Sequence, residues 1–211
     1  QRATLIRERL DPARKIILCV DRLDYTKGID HRLRVYERML RGGAVSADDS
    51  VLVQVAVPTR DKVAEYAAQR STVEGLVGAI NGEFTRLARV PVHYFSRSLR
   101  HRELAAYYLA ADAMLVTPLR DGMNLVAKEF VATRSDLGGV LVLSEFAGAS
   151  RELGGAIVVN PRDEDRTVEA VVGAIRMGEP ERRKRMSRMR STVRRHDVFN
   201  WCDTFLGALA S

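Results

Sequence analysis

Two short segments of the chain carry residue types suited to an anionic ligand. The first, Asp21-Arg22-Leu23-Asp24-Tyr25-Thr26-Lys27-Gly28, sets an arginine and a lysine just after an apolar run and just before a glycine. Arginine offers a planar fork of donors and lysine a mobile point charge, so the pair suits a diphosphate. The same loop holds Asp21 and Asp24, and a surface loop with its cations paired to those acids is the competing reading. It is no Walker A loop, because GxxxxGK[ST] is missing.

The second segment runs from Thr117 through Arg120-Asp121-Gly122-Met123-Asn124 to Leu125-Val126-Ala127-Lys128-Glu129. An acid and a glycine ahead of an apolar-periodic stretch read as a helix start. There bare backbone N–H groups attract anions, and Gly122 lets a ligand approach closely. Glu129 lies too far along to touch the same atom as Asp121, but an extended ligand such as a nucleotide sugar could reach both. Taken singly, Asp121 reads equally as a helix cap and Glu129 as a partner of Lys128 or an arginine.

Other candidates are weaker. Asp163-Glu164-Asp165 follows Pro161 at an apparent helix start, where acids favour the dipole, so a cap is preferred to a metal role. His31, His93, His101 and His196 share no metal-ligand spacing. Ser144 to Ser150 follows a strand and reads as a turn and cap that could add backbone contacts. No G-x-S-x-G elbow and no GxGxxG after the first strand are present, against serine hydrolases and dinucleotide binding.

The elements that must position these loops follow from the apolar pattern. Strands are expected at 16–20, 51–57, 92–95, 113–117, 140–143 and 156–159, alternating with helix-period stretches. Ile29, Leu33, Tyr36 and Leu40 line one helix face, and Leu104, Tyr108 and Ala111 another. Residues 61–84, interrupted by Gly75 and Gly78, read as a broken helix or two helices. The alternation predicts an α/β fold, a doubly wound, mostly parallel sheet with helices on both faces, in one domain over 1–211. In such a sheet ligands bind outside the carboxyl ends of the strands, where both charged loops fall.

The bulk properties constrain partners. The 211 residues carry a net charge of +7, yet residues 182–195 alone hold eight cations and no acid, so the rest sums to −1. Met186, Met189 and Val193 give that stretch one apolar stripe, and no aromatics interleave its arginines. A basic surface helix is therefore expected, and nucleic acid is not expected as a partner. Cys19 and Cys202 fit no disulfide framework, no run approaches the roughly 20 apolar residues of a membrane span, and no signal peptide is visible, so a cytoplasmic setting is expected. The start at Gln1, with a charged segment leading into a strand, suggests a piece of a longer protein.

The stretches Val20 to Ile29 (V-D-R-L-D-Y-T-K-G-I) and Leu115 to Glu129 (L-V-T-P-L-R-D-G-M-N-L-V-A-K-E) strongly resemble the trehalose-6-phosphate synthase family, the family 20 retaining glycosyltransferases. Residues 53–60, 80–84 and 135–146 extend the resemblance over nearly the whole chain. It matches only the C-terminal, Rossmann-like donor half of that family's two-domain GT-B architecture, which implies that an N-terminal acceptor domain is absent here. By resemblance, Arg22, Lys27 and Asp121 are the catalytic residues. The two cations bind the donor diphosphate, while Asp121 and the backbone of Gly122, Met123 and Asn124 bind glucose hydroxyls. Leu125 and Val126 contact phosphate through backbone, Glu129 holds the ribose, and the segment with Ser98 and Leu99 lies near the base. Arg60 reaches the phosphate of glucose 6-phosphate. The implied reaction moves glucose from UDP- or GDP-glucose to glucose 6-phosphate with retention, giving trehalose 6-phosphate, with no metal and no cofactor. The isolated chain is expected to be inactive; a homo-oligomer, a pseudo-glycosyltransferase and a non-catalytic nucleotide-sugar module stay open.

Overall fold

A computed structural model describes residues 1–59 and 64–209. Its elements are α1 (Arg2–Arg9), β1 (Lys15–Arg22), α2 (Ile29–Arg41), β2 (Ser50–Val57), α3 (Ala64–Phe84), β3 (Val92–Phe95) and α4 (His101–Ala110), then β4 (Ala113–Val116), α5 (Leu125–Thr133), β5 (Val140–Ser144), β6 (Ile157–Val159), α6 (Glu164–Arg176), α7 (Glu179–Arg195) and α8 (Val198–Leu209). The strands form one six-stranded parallel sheet in the order β3-β2-β1-β4-β5-β6. The chain winds outward from β1 to β3, returns through α4 to β4, and then winds the other way. The crevice of a doubly wound sheet opens at that reversal, between the carboxyl ends of β1 and β4.

Both faces of the sheet are covered, so its central strands are mostly apolar, with Gln54 a buried exception in β2. Ile17 and Cys19 of β1 pack with Leu33 and Tyr36 of α2, Val73 and Ile80 of α3 and Val171 of α6. Ile16, Leu18 and Val20 face the other side, against Tyr108 of α4, Phe130 of α5 and Met186 of α7. The expected strands all form, with ends displaced by one or two residues. The helix faces expected in α2 and α4 are buried at Ile29, Leu33, Tyr36, Leu40, Tyr108 and Ala111.

One expectation fails. Residues 64–84 form a single helix straight through Gly75 and Gly78. Tyr66, Val73 and Ile80, seven apart, are buried on one face, and that packing outweighs the ~1 kcal/mol cost of each glycine. Residues 61–63, and Arg60 with them, lie outside the described residues.

The basic stretch 182–195 is the greater part of α7, and Met186 and Met189 are its buried stripe. Its arginines are largely engaged within the fold. Arg185 pairs with Glu181 at 2.7 Å, and Arg190 donates to the carbonyls of Val131 (2.9 Å) and Ala132 (2.6 Å) in the last turn of α5, where helix carbonyls lack internal partners. Among the described residues no helix is long and apolar enough to cross a membrane.

Candidate functional site

The loop after β1 is anchored from below by a buried ion pair. Asp21 meets Arg32 of α2 at 2.7 Å, and Arg32, 1% exposed, also donates to the carbonyls of Leu115 in β4 (3.0 Å) and Lys27 (2.8 Å). One guanidinium therefore ties together both strand ends and the turn that carries the lysine. Burial pushes the Asp21 carboxyl up to about 6, even against the charge of Arg32.

Beyond Asp21 the chain makes a 3-10 turn, Tyr25–Lys27, capped by Asp24, whose Oδ1 accepts from Thr26 N (2.9 Å) and Thr26 Oγ1 (2.7 Å). The turn ends at Gly28 with φ 62°, where a Cβ would stand 2.9 Å from the Thr117 carbonyl oxygen. Only glycine suits both the backbone angle and that approach. Neither cation of the loop forms a salt bridge with Asp21 or Asp24 among the described residues: Asp21 pairs with Arg32 and Asp24 accepts from Thr26, while the charges of Lys27 and Arg22 act on Asp24 at longer range. Arg22 is exposed and forms no salt bridge among the described residues.

Lys27 reaches across to the loop after β4. Its Nζ lies 2.7 Å from Asp121 Oδ2, with the two side chains 13% and 15% exposed. The same Oδ2 accepts from Asn124 Nδ2 at 3.0 Å, while Oδ1 accepts only a longer bond, 3.3 Å, from Met123 N. Burial alone would raise the Asp121 carboxyl; the hydrogen bond and charge of Lys27, with Asn124 and Met123, outweigh it and hold the group below its usual value. Backbone joins the loops as well, since Thr26 O accepts from Leu119 N (2.8 Å) and Arg120 N (3.3 Å).

The cap of α5 is Asn124, not Asp121. Asn124 sits at φ 78° and accepts from Ala127 N at 3.0 Å, a left-handed position that asparagine tolerates better than most residues. Leu125 and Val126 open the helix, so their N–H groups have no acceptor within it. Gly122 and Met123 are exposed, and a Cβ on Gly122 would meet nothing within 4 Å.

The 144–150 segment, read from the sequence as a turn and cap that could add backbone contacts, makes such contacts with this loop, a partner the sequence did not name. Gly148 N donates to Asp121 O (3.1 Å), Ala149 N to Met123 O (2.8 Å), and Asp121 N to Phe146 O (3.2 Å). A Cβ on Gly148 would fall 2.1 Å from Gly122 O. The available signal was the run of small residues Ala147-Gly148-Ala149-Ser150 directly after a buried strand. The two segments wall a cleft of about 640 Å³.

Glu129 lies in the second turn of α5. Lys128 does not pair with it, turning instead to Glu152 at 2.8 Å; Glu129 Oε2 accepts from the hydroxyl of Tyr108 at 3.1 Å. Ser98 is exposed and Leu99 half-buried in the loop after β3, where Leu99 packs against the core cluster that contains Tyr108 and Phe130. The structure thus joins Lys27 to the Asp121 loop directly and attaches Glu129 through α5, while Ser98 and Leu99 follow β3, two strands from β1 at the same carboxyl end of the sheet. Asp163 caps α6, accepting from Arg166 N at 3.1 Å, and Glu164 and Asp165 both pair with Arg38, so the acidic triplet is fully occupied.

The family model for glycosyltransferase family 20 matches residues 1–211. Trehalose-6-phosphate synthase of Mycolicibacterium vanbaalenii is 51% identical over all of this chain, which spans 43% of that protein. A structure of a UDP-forming α,α-trehalose-phosphate synthase from Burkholderia xenovorans in complex with glucose-6-phosphate superposes with a TM-score of 0.94 at 40% identity, over 100% of this chain and 47% of that one. A structure described as trehalose-6-phosphate from E. coli bound with UDP-2-fluoro glucose superposes with a TM-score of 0.93 at 36% identity, over 98% of this chain and 46% of that one. The chain therefore spans less than half the length of these relatives.

Proposed function

Because the chain belongs to glycosyltransferase family 20, we propose that it is the donor-holding part of a retaining transferase that moves glucose from UDP- or GDP-glucose to glucose 6-phosphate, giving trehalose 6-phosphate. The observation that carries this reading is the joined pair of loops at the sheet reversal, where Lys27 meets Asp121 and Arg22 stands exposed beside them. Similarity to proteins described in complex with glucose-6-phosphate and with UDP-2-fluoro glucose supports the ligand classes.

The geometry suits that chemistry atom by atom. An ammonium has three donors; with one committed to Asp121, two are left to Lys27 for diphosphate oxygens, and Arg22 adds its fork. Asp121 Oδ1, with only its long bond to Met123 N, is the oxygen free to accept a glucose hydroxyl. The open N–H groups of Leu125 and Val126 face the same anion from the start of α5. Negative charge grows on the leaving phosphate as the glycosidic bond breaks, and fixed cations stabilise that state more than the bound donor. In this reading the cations do the work of a metal, and none is required. Glu129 takes the ribose, the Ser98–Leu99 loop lies near the base, and Arg60 takes the acceptor phosphate, these roles resting on resemblance.

Titration of the chain with UDP-glucose, GDP-glucose and a short DNA duplex tests the reading. A nucleotide sugar should bind and Lys27→Ala should weaken it; in the protein completed with its acceptor half, Lys27→Ala should lower kcat about 10²-fold. Binding of the duplex alone, with steep salt dependence, or a kcat change below about threefold, would overturn it.

A further inference from the structure

We infer that Tyr108 is a positioning residue for the donor: its buried hydroxyl fixes the Glu129 carboxylate so that one oxygen stays directed to the nucleoside. The inference rests on the proposed donor role of Glu129. Tyr108 sits in the last turns of α4 and is 2% exposed. Its hydroxyl lies 3.1 Å from Glu129 Oε2, and its ring meets Phe130 of α5 edge-on, centroids 6.0 Å apart. The hydroxyl is thus delivered from a ring that cannot swing away. Burial, and then the adjacent carboxylate, push the phenol above its ordinary value, so it remains a donor throughout the neutral range.

Glu129 differs from the other acid of the site. Asp121 has a cation, an amide and a backbone N–H; no salt bridge reaches Glu129 among the described residues, and the adjacent Lys128 is committed to Glu152. A half-buried carboxylate held by one phenol has Oε1 left for further donors. A pair of neighbouring sugar hydroxyls is the group that supplies them without adding charge. Tyr108 is then what distinguishes a set acceptor from a freely rotating glutamate, and ordering of that kind contributes to affinity before any ligand arrives.

The experiment is a double-mutant cycle on Tyr108→Phe and Glu129→Gln in the protein completed with its acceptor half, with UDP-glucose as donor. Phenylalanine keeps the contact with Phe130. Tyr108→Phe should raise donor KM about fivefold, the cost of ordering a carboxylate that turns freely once the hydroxyl is gone. kcat at saturating donor and acceptor KM should stay within about twofold, since the lost interaction is made equally in ground and transition states. In the Glu129→Gln background the same change should shift donor KM by less than about twofold. Tyr108→Met, filling similar space without a hydroxyl, should reproduce the result. A large Glu129→Gln effect with a silent Tyr108→Phe, or effects that simply multiply, overturns the positioning role while leaving the Glu129 reading intact. A silent Glu129→Gln overturns that reading and this inference with it.

Discussion

Asp121 and Lys27 are each half of a contact that serves two purposes, holding two loops together and presenting polar atoms to a ligand. Because the pair lowers the Asp121 carboxyl, its contribution to stability is complete above the ordinary carboxylate value, about 4, and is lost as pH falls through the lower native one. Thermal unfolding of the wild type and of Asp121→Asn across pH checks this. The gap between the midpoints should be constant from about pH 5 to 8 and should close below about pH 4; a gap unchanged at about pH 3 would refute the coupling. At this scale the sequence was informative about residue types and silent about partners. Arg22, Lys27 and Asp121 could be singled out because they follow strand ends, where a doubly wound sheet opens its crevice. That Lys27 answers Asp121 depends on a contact across 94 positions that spacing does not encode, and that Asp24 takes both donors of Thr26, two residues on, is one of several local pairings the loop allowed. Asn124 as the cap was hidden for a related reason, since the acid-glycine pair ahead of it offered an equally ordinary helix start.

The elements that carry these residues were read more completely than the contacts between them. The central strands were recognisable because burial on both faces demands a mostly apolar run, and the helix faces of α2 and α4 because burial on one side imposes a 3.6-residue period. The failure, at Gly75 and Gly78, came from weighing local preference above tertiary packing. Gly148 is the opposite case, a glycine with no apparent local duty that the loop above it requires. Gly148→Ala would drive a Cβ to 2.1 Å from Gly122 O, and backbone cannot yield as a side chain does. The 122–124 loop must move, so the expected outcome is a loss of about 1–3 kcal/mol on chemical denaturation together with weakened binding of UDP-glucose. Unchanged donor affinity in a correctly folded Gly148→Ala protein would show that the loop's height does not matter.

For the molecule as a whole, the reversal of winding between β1 and β4 is the decisive fact, and Arg32 is its fastening. Removing one member of a buried ion pair leaves an unpaired charge, so Arg32→Met should cost about 3–5 kcal/mol in urea unfolding, with the carbonyls of Leu115 and Lys27 losing their donor as well. A cost below about 1 kcal/mol would mean that water replaces the guanidinium and that the strand ends are not held as described. The high net charge, by contrast, proved to be bookkept locally, with α7 spending arginines on α5 carbonyls and on its own acids. The bond between Thr26 O and the N–H groups of Leu119 and Arg120 has a consequence for how such a protein changes over generations. It is made entirely of main chain, so no side chain at those three positions is needed to preserve it. A change of side chain at Leu119 or Arg120 leaves that main-chain join intact, whereas Thr26 also donates its hydroxyl to the Asp24 cap, so its side chain holds the turn even though only its carbonyl takes part in the join.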